Sequence, residues 1–434
     1  MLGILKLQDD SRPPYAIVDK SERSFLRNDG SVVRNGHANA HYVLATVCGE
    51  HFNSFDPDLH LQNRRFWNGW MGQGLTESER HKIADWMDVP AAELEPLAQE
   101  ELVQLTQELK NRLRDDISTP SHTESVRWRE KYFEHGLYCE GFYFPRGLDL
   151  RGSYFNDHVS FAYAYLAYGV KAPFCHFQRD ANFGTCYFGA SADFGVSYFE
   201  KHGGGIFQAA VFNEMAYFGR CVFALSGNFS DAVFKQGASF SETWFLENIP
   251  TFFQADVHEN TDFSIRTEYW PRVRPSSAAA DKRIYTRLRQ IMHELHKPDE
   301  EYFFFRQEMR SKAALEAWPD TWVIKSFGAL SDFGFSVARP VMGLIFAWIF
   351  PALIYTAAFA PAIISGTSKL STFGAFGLSF ANLFSFLGLA ELMFRETILE
   401  FGPWLSLLAG LQTVTGFVLL FLLALGLRNR FRMK

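Results

Sequence analysis

Between residues 150 and 263, large apolar residues return every five or six positions, a rhythm that fits neither a helix (3.6) nor a strand (2.0). The series runs Phe177, Phe183, Phe188, Phe194 and Phe199, then Phe207, Phe212, Phe218, Phe223, Phe229, Phe234, Phe240 and Phe245. Phe155, Phe161 and Leu166 carry the phase upstream, with one element missed between 166 and 177. Two positions before each large residue stands a small one: Ser153, Ala164, Cys175, Ala181, Cys186, Ala192, Ser197, Gly205, Ala210, Ala216, Cys221, Gly227, Ala232, Ala238 and Thr243, with Val159 the exception. Such a period predicts a solenoid in which every short side turns one large and one small residue inward. Four sides of 5+6+5+6 give a coil of about 22 residues, stacked at about 4.8 Å, so the Phe rings form ladders. Some 120 residues make five or six coils.

The patterning changes at Pro340. No charged residue occurs from Pro340 to Ser368 or from Phe401 to Leu427, and each stretch exceeds the roughly 20 residues that cross a bilayer core. These predict spans over 340–364 and 403–427. A third uncharged stretch, 370–390, is rich in Gly and Ser and interrupted by Asn382. It predicts a re-entrant or interfacial helix over about 374–392, which would need protein or a watery cavity around it. Arg339 precedes the first span and Arg428, Arg430, Arg432 and Lys434 follow the second; between them stand Lys369, Glu391, Arg395, Glu396 and Glu400. The positive-inside rule then places the N-terminal body and the C-terminus in the cytoplasm. Pro351 falls mid-span, where a kink is expected.

Polar groups inside these stretches are the candidate site. Ser379, Asn382 and Ser385 follow helical spacing on one face; Gln412 and Thr415 repeat it in the last span beside Gly416; Glu391 could charge a pore mouth. Each is read either as pore lining or, for all but Glu391, as interhelical glue, with a solvated loop carboxylate the plainer role for Glu391.

Outside the repeat and the spans, the chain reads as an α-rich N-terminal cap, with short β-rich runs near its start, and a helical linker. The run 1–140 is non-repetitive: Asn28-Asp29-Gly30 signals a hairpin turn, His41–Glu50 is a buried helix or strand, Thr76–Glu79 fits a capping box, and Ala98–Arg114 is an amphipathic helix with Leu102, Leu105 and Leu109 on one side. Trp67 and Trp70 are expected to pack on the coil, making this region the cap of an otherwise open solenoid end, or a partner site. From Ala280 to Ala317 a helical hairpin is expected, with the stripe Ile284, Leu288, Ile291 and Leu295, broken at Pro298-Asp299-Glu300-Glu301. The resulting organisation is a cap (1–140), a β-helix (141–265), a helical-hairpin linker (266–335) and a transmembrane module (336–434).

Composition narrows the function. Over 434 residues, 42 basic against 48 acidic side chains give −6, and 142–263 holds 12 acids against 7 bases, a net of −5; neither favours a nucleic-acid binder or a convincing DNA mimic. Five cysteines exclude a disulfide scaffold, and Cys175, Cys186 and Cys221 occupy the small-residue slots, so they read as core filler. Cys48 and Cys139 lack metal-ligand spacing. The Glu200–Gly205 break (EKHGGG) reads as a loop with His202 exposed. No nucleophile, metal, acid–base or phosphate-loop motif appears, so no enzyme, metal or cofactor is expected.

The Phe repeat resembles the pentapeptide-repeat family, departing from it by one extra residue on alternate sides. The resemblance implies a right-handed quadrilateral β-helix. Together with Asp332-Phe-Gly-Phe-Ser-Val-Ala-Arg-Pro340 and Leu427-Arg-Asn-Arg-Phe-Arg432, the chain resembles bacterial membrane-bound pentapeptide-repeat proteins with a C-terminal ion-channel-like module, which implies an inner-membrane location. No potassium-type filter sequence is present. The leading expectation is a homo-oligomeric channel, tetramer favoured, with a cytoplasmic β-helical sensor or scaffold. The alternative is a membrane-anchored scaffold whose β-helix or N-terminal region recruits a protein partner, without conduction.

Overall fold

A computed structural model describes residues 15–19, 24–27, 32–36, 39–51, 54–113, 120–364 and 371–432. The chain separates into two compact units, 1–272 with 286–301, and 273–285 with 302–434.

In the first unit the Phe rhythm builds a parallel β-solenoid of about six turns. Two-residue strands from successive coils align in four ladders: Lys131–Phe133 to Trp244–Phe245, Leu137–Tyr138 to Gly227–Asn228, Tyr143–Phe144 to Asp256–Val257, and Val126–Arg127 to Asp262–Phe263. Within the coils most partners lie 22 residues apart, as Val159 with Ala181; the EKHGGG insertion lengthens one coil to 24, as Ala181 with Gly205, and the last coil has 23, as Val233 with Asp256. Every Phe of the series is buried, as are the small residues two positions before. The missed element is Ala172, fully buried in the slot that Phe194 fills one coil later. Rings stack along each column at 4.6 to 5.5 Å, for example Phe188 on Phe212 and Phe194 on Phe218. Adjacent columns meet edge-to-face, as Phe207 against Phe218 at 5.0 Å, the arrangement the ring quadrupole prefers.

Two kinds of corner explain the 5/6 alternation. Each five-residue step crosses a tight turn such as Phe183–Cys186, closed by a 3.4 Å bond from the Cys186 N–H to the Phe183 carbonyl, with Thr185 at φ 56°. Positive φ at the third turn position is the type II signature. It recurs at Tyr163, Phe174, Val196, Ala209, Arg220, Asp231 and Glu242. The six-residue steps take a wider bend, and where one of them carries a positive φ the residue is glycine: Gly147, Gly169 and Gly237. Small side chains at the tight corners also bond the coil before: Ser197 Oγ donates to Ala172 O at 2.7 Å, Cys221 Sγ to Phe194 O at 2.9 Å and Thr243 Oγ1 to Phe218 O at 2.6 Å.

The solenoid's ends are closed by side chains. At the first coil, β1 (Tyr15–Asp19), β2 (Ser24–Arg27) and β3 (Val32–Asn35) extend one ladder, β3 running parallel to Lys131–Phe133. β2 and β3 pair antiparallel around Asn28-Asp29-Gly30, which lies outside the described residues. Helix α1 (Ala40–Ala45) is buried, and α2 (Pro57–Met71) starts on an Asp56 cap. Asn68 of α2 acts as a missing strand: its Nδ2 donates to Gly141 O and its Oδ1 accepts from Tyr143 N, both at 2.9 Å, while Trp67 Nε1 donates to Tyr143 O at 2.8 Å. Trp67 lies on Phe142 and Phe144; Trp70 instead donates to Pro120 O. Helix α3 (Glu77–Met87) carries the Thr76/Glu79 capping box. Helix α4 runs Gln99–Arg112 with Leu105 and Leu109 buried and Leu102 only half-buried, and Arg114 lies outside the described residues. At the last coil, Arg287 of helix α5 (Ala278–Glu294) donates to the carbonyls of Phe252 and Ala255, and Lys297 to that of Thr261.

The second unit is helical. Helix α6 spans Pro298–Leu315, its first turn with Asp299, Glu300 and Glu301 belonging to the first unit and the rest to the second, and α7 spans Asp320–Ser331. Helix α8 (Ala338–Ile364) runs helical through Pro351. The stretch expected as one helix over 374–392 is two: α9 (Thr372–Leu383) and α10 (Leu389–Leu399), separated by a tight turn at Ser385–Leu387 and by Gly388 at φ 68°. Helix α11 spans Pro403–Arg432. Two of these helices are long and apolar enough to cross a membrane, Ala338–Phe359 and Pro403–Phe431. Only 17% and 22% of their most apolar windows is buried within the chain, far less than the core helix of a soluble protein would show. Lys369 and Lys434 lie outside the described residues.

Candidate functional site

Helix α9, twelve residues long, packs against both α8 and α11, and its contacts with them are polar as well as apolar. The three-residue spacing of Ser379 and Asn382 puts them on one face. Ser379 Oγ donates to the Trp348 carbonyl at 2.6 Å across to α8. From α11, Gln412 Nε2 reaches Ser379 O (2.8 Å), Ser379 Oγ (2.7 Å) and Ala347 O (3.0 Å). Its Oε1 accepts from Tyr355 OH, which in turn accepts from Asn382 Nδ2, both at 3.2 Å. Thr413 Oγ1 donates to Asn382 O, and Trp348 Nε1 to Phe376 O. Ser379, Asn382, Gln412 and Tyr355 are all buried. One crossing is close enough to demand glycine: a Cβ on Gly416 would lie 2.1 Å from the Leu383 carbonyl oxygen.

The six candidate polar residues therefore part company. Ser379, Asn382 and Gln412 meet in this one interhelical knot. Ser385 lies beyond the end of α9 in the short turn, half-buried. Thr415 is on the outer face of α11 and closes on the Leu411 carbonyl of its own helix. Glu391 is exposed in the first turn of α10. Tyr355 and Trp348 were not among the candidates. Their trace in the sequence is two polar-tipped aromatics seven apart in the uncharged part of one helix, hence on one face.

A second constellation joins the helices of this unit. Asp332 and Phe333, at φ 50° and 58°, turn the chain from α7 toward α8. The Asp332 carboxylate pairs with Arg306 of α6 at 2.8 Å and with Arg339 of α8 at 3.8 Å. Phe333 packs with Ala313 and Ile324, and Asn429 Nδ2 of α11 donates to Gly334 O at 2.9 Å. The run Asp332–Pro340 is thus the joint of four helices.

The first unit holds chemistry of a quieter kind. His51 stacks on Phe55 and meets Tyr138 edge-to-face, and His60 stacks on Phe142. Burial, reinforced by Arg127, pushes His41 down to about 4; burial and Arg64 do the same to His60, against the pull of the Glu140 carbonyl. Burial pushes the thiols of Cys139, Cys186 and Cys221 up, so they are neither nucleophiles nor ready metal ligands. Among the described residues no group of three His, Cys, Asp or Glu is placed to hold a metal ion. Outside the coil, aromatic ladders that the Phe rhythm does not announce run up two walls: Tyr132, Tyr154, His176 and Tyr198 on one, Tyr143, Tyr165 and Tyr187 on the other.

Comparison with family models, with curated proteins and with solved structures returns no match for this chain.

Proposed function

We propose that this protein is a membrane-anchored scaffold: α8 and α11 span the bilayer, and the solenoid offers its walls to a protein partner. The observation that carries the reading is the knot at Gln412. Polar groups in hydrocarbon serve either a pathway or each other, and Ser379, Asn382, Gln412 and Tyr355 satisfy one another inside a single chain. What faces outward from α8 and α11 is Met342, Phe346, Leu353, Leu411, Val414 and Phe421, a surface suited to lipid. We read the solenoid as a four-walled, right-handed β-helix of the pentapeptide-repeat type. Arg339 and the Arg428, Arg430 and Arg432 cluster favour a cytoplasmic first unit and C-terminus. No catalytic role belongs to this reading.

Reconstituted, purified protein tests it by single-channel recording across a planar bilayer. The scaffold reading expects a silent membrane for the native chain and for Gln412→Leu alike. Reproducible conductance steps would overturn it.

A second reading keeps the channel. Its support is the outline of α8–α9–α11, two spanning helices with a helix too short to span packed against both, as in pore-loop subunits. Conduction would require a closed ring of copies, tetramer favoured, with Ser385, Glu391 and Thr415 rather than the Gln412 knot facing the pathway.

A further inference from the structure

Where α6, α7 and α8 meet, an open cleft of about 260 Å³ is lined by Arg310, Lys325 and Arg339 against the single carboxylate of Asp332, with Gly328 and Phe333 at its back. Three cations facing one anion leave a net charge of +2. Asp332 is already shared between Arg306 and Arg339. Arg310 reaches only the Gln307 amide oxygen at 3.2 Å, and neither it nor Lys325 has a carboxylate within ion-pair distance among the described residues. Arg339 stands in the first turn of α8, which contains no acidic residue, so the helix dipole adds to the positive field rather than offsetting it. A site in this state is completed by an anion.

The surroundings say which anion. Trp318, just before α7, and Trp322, within it, are 77% and 65% exposed, and Lys325 follows Trp322 three residues on along the helix. Soluble surfaces seldom expose two such indoles, whereas the headgroup layer of a bilayer concentrates them. Val341, Met342 and Ile345, just after Arg339, begin the exposed apolar exterior of α8. On the reading that α8 spans the bilayer, we infer that this cleft binds the phosphate of an anionic phospholipid, whose acyl chains lie along the first turns of α8.

Thermal unfolding of the full chain in neutral detergent tests this, with phosphatidylglycerol, phosphatidylcholine or inorganic phosphate added. Phosphatidylglycerol is expected to raise the midpoint by about 3 °C or more, phosphatidylcholine and inorganic phosphate to leave it within error. The double variant Arg310→Gln/Lys325→Gln should lose the increment, while Arg220→Gln on the solenoid surface keeps it. Equal stabilisation by phosphatidylcholine, or an increment retained by the double variant, overturns the proposal. So does inorganic phosphate matching the lipid, which would assign the cleft to a soluble anion. Should the double variant fail to fold, native mass spectrometry of the unaltered chain decides: retained phosphatidylglycerol in preference to phosphatidylcholine supports the site, and equal retention overturns it. Alkaline extraction of membranes separates the two failures. A chain released by alkali refutes the spanning helices, whereas a chain that resists alkali without headgroup preference refutes only the cleft.

Discussion

At the scale of single residues, exposure rather than residue type decides what a phenylalanine is worth. Phe194 is fully buried in a column between Ala172 and Phe218; Phe174, twenty positions earlier, is 66% exposed at a tight corner. Phe194→Ala is expected to cost about 3–5 kcal/mol in urea unfolding and Phe174→Ala under about 0.5 kcal/mol. The Phe spacing announced the first of these roles plainly, because only an inward position recurs with a small partner two residues before it. It could not announce that Ser197, Cys221 and Thr243 bond the preceding coil's carbonyls, since alanine serves as well in the same slot at Ala210 and Ala232. The histidines give a residue-scale prediction of another kind. His41 and His60 are held neutral down to about pH 4, whereas the unfolded chain binds their protons near 6.5. Between these values the unfolded state holds more protons, so stability falls as the pH drops, by up to about 1.4 kcal/mol per pH unit for each histidine. Unfolding midpoints should therefore be level above pH 7 and decline toward pH 5, and His60→Gln should flatten the decline.

At the scale of elements, the solenoid was legible because its period is long, regular and carried by the side chains that fold it. The alternation of five and six was visible too, though its cause was not: backbone φ at Thr185 or Val196 leaves no mark in residue type, these being residues that ordinarily avoid the left-handed region. The stretch after Lys369 was harder for a different reason. Its hydrophobicity is continuous across Gly388, so composition ran together what the left-handed glycine divides into α9 and α10. Spacing did pair Ser379 with Asn382, but the partner across the crossing, Gln412, lies thirty residues on from Asn382 and no local rhythm connects them. Gln412→Leu removes the acceptor of Tyr355 and the donor to Ser379 at once. The cost expected is about 1–2 kcal/mol in detergent-denaturation titrations, with membrane association unchanged. A loss within error would mean that the knot contributes nothing to helix association.

At the scale of the whole molecule, the proposed anchor gives the same chain two surfaces meeting different solvents, and one substitution can tell them apart. Phe350, near the middle of the apolar stretch Ala338–Phe359, is 51% exposed, and Phe174 on the solenoid is 66% exposed. By exposure alone both are large apolar side chains on an outer face, and arginine at either should be tolerated in water, where Phe→Arg removes sticky surface. In hydrocarbon the sign reverses: a guanidinium at the centre of a spanning helix costs about 2.5–3.5 kcal/mol, and the lost Phe adds a few tenths more. Phe350→Arg is therefore expected to destabilise the reconstituted protein by about 3 kcal/mol in lipid vesicles, and Phe174→Arg to change it by less than about 0.5 kcal/mol. Equal, small effects at both positions would mean that the exterior of α8 meets water or another protein face instead of lipid, and the anchor on which the scaffold depends would be gone.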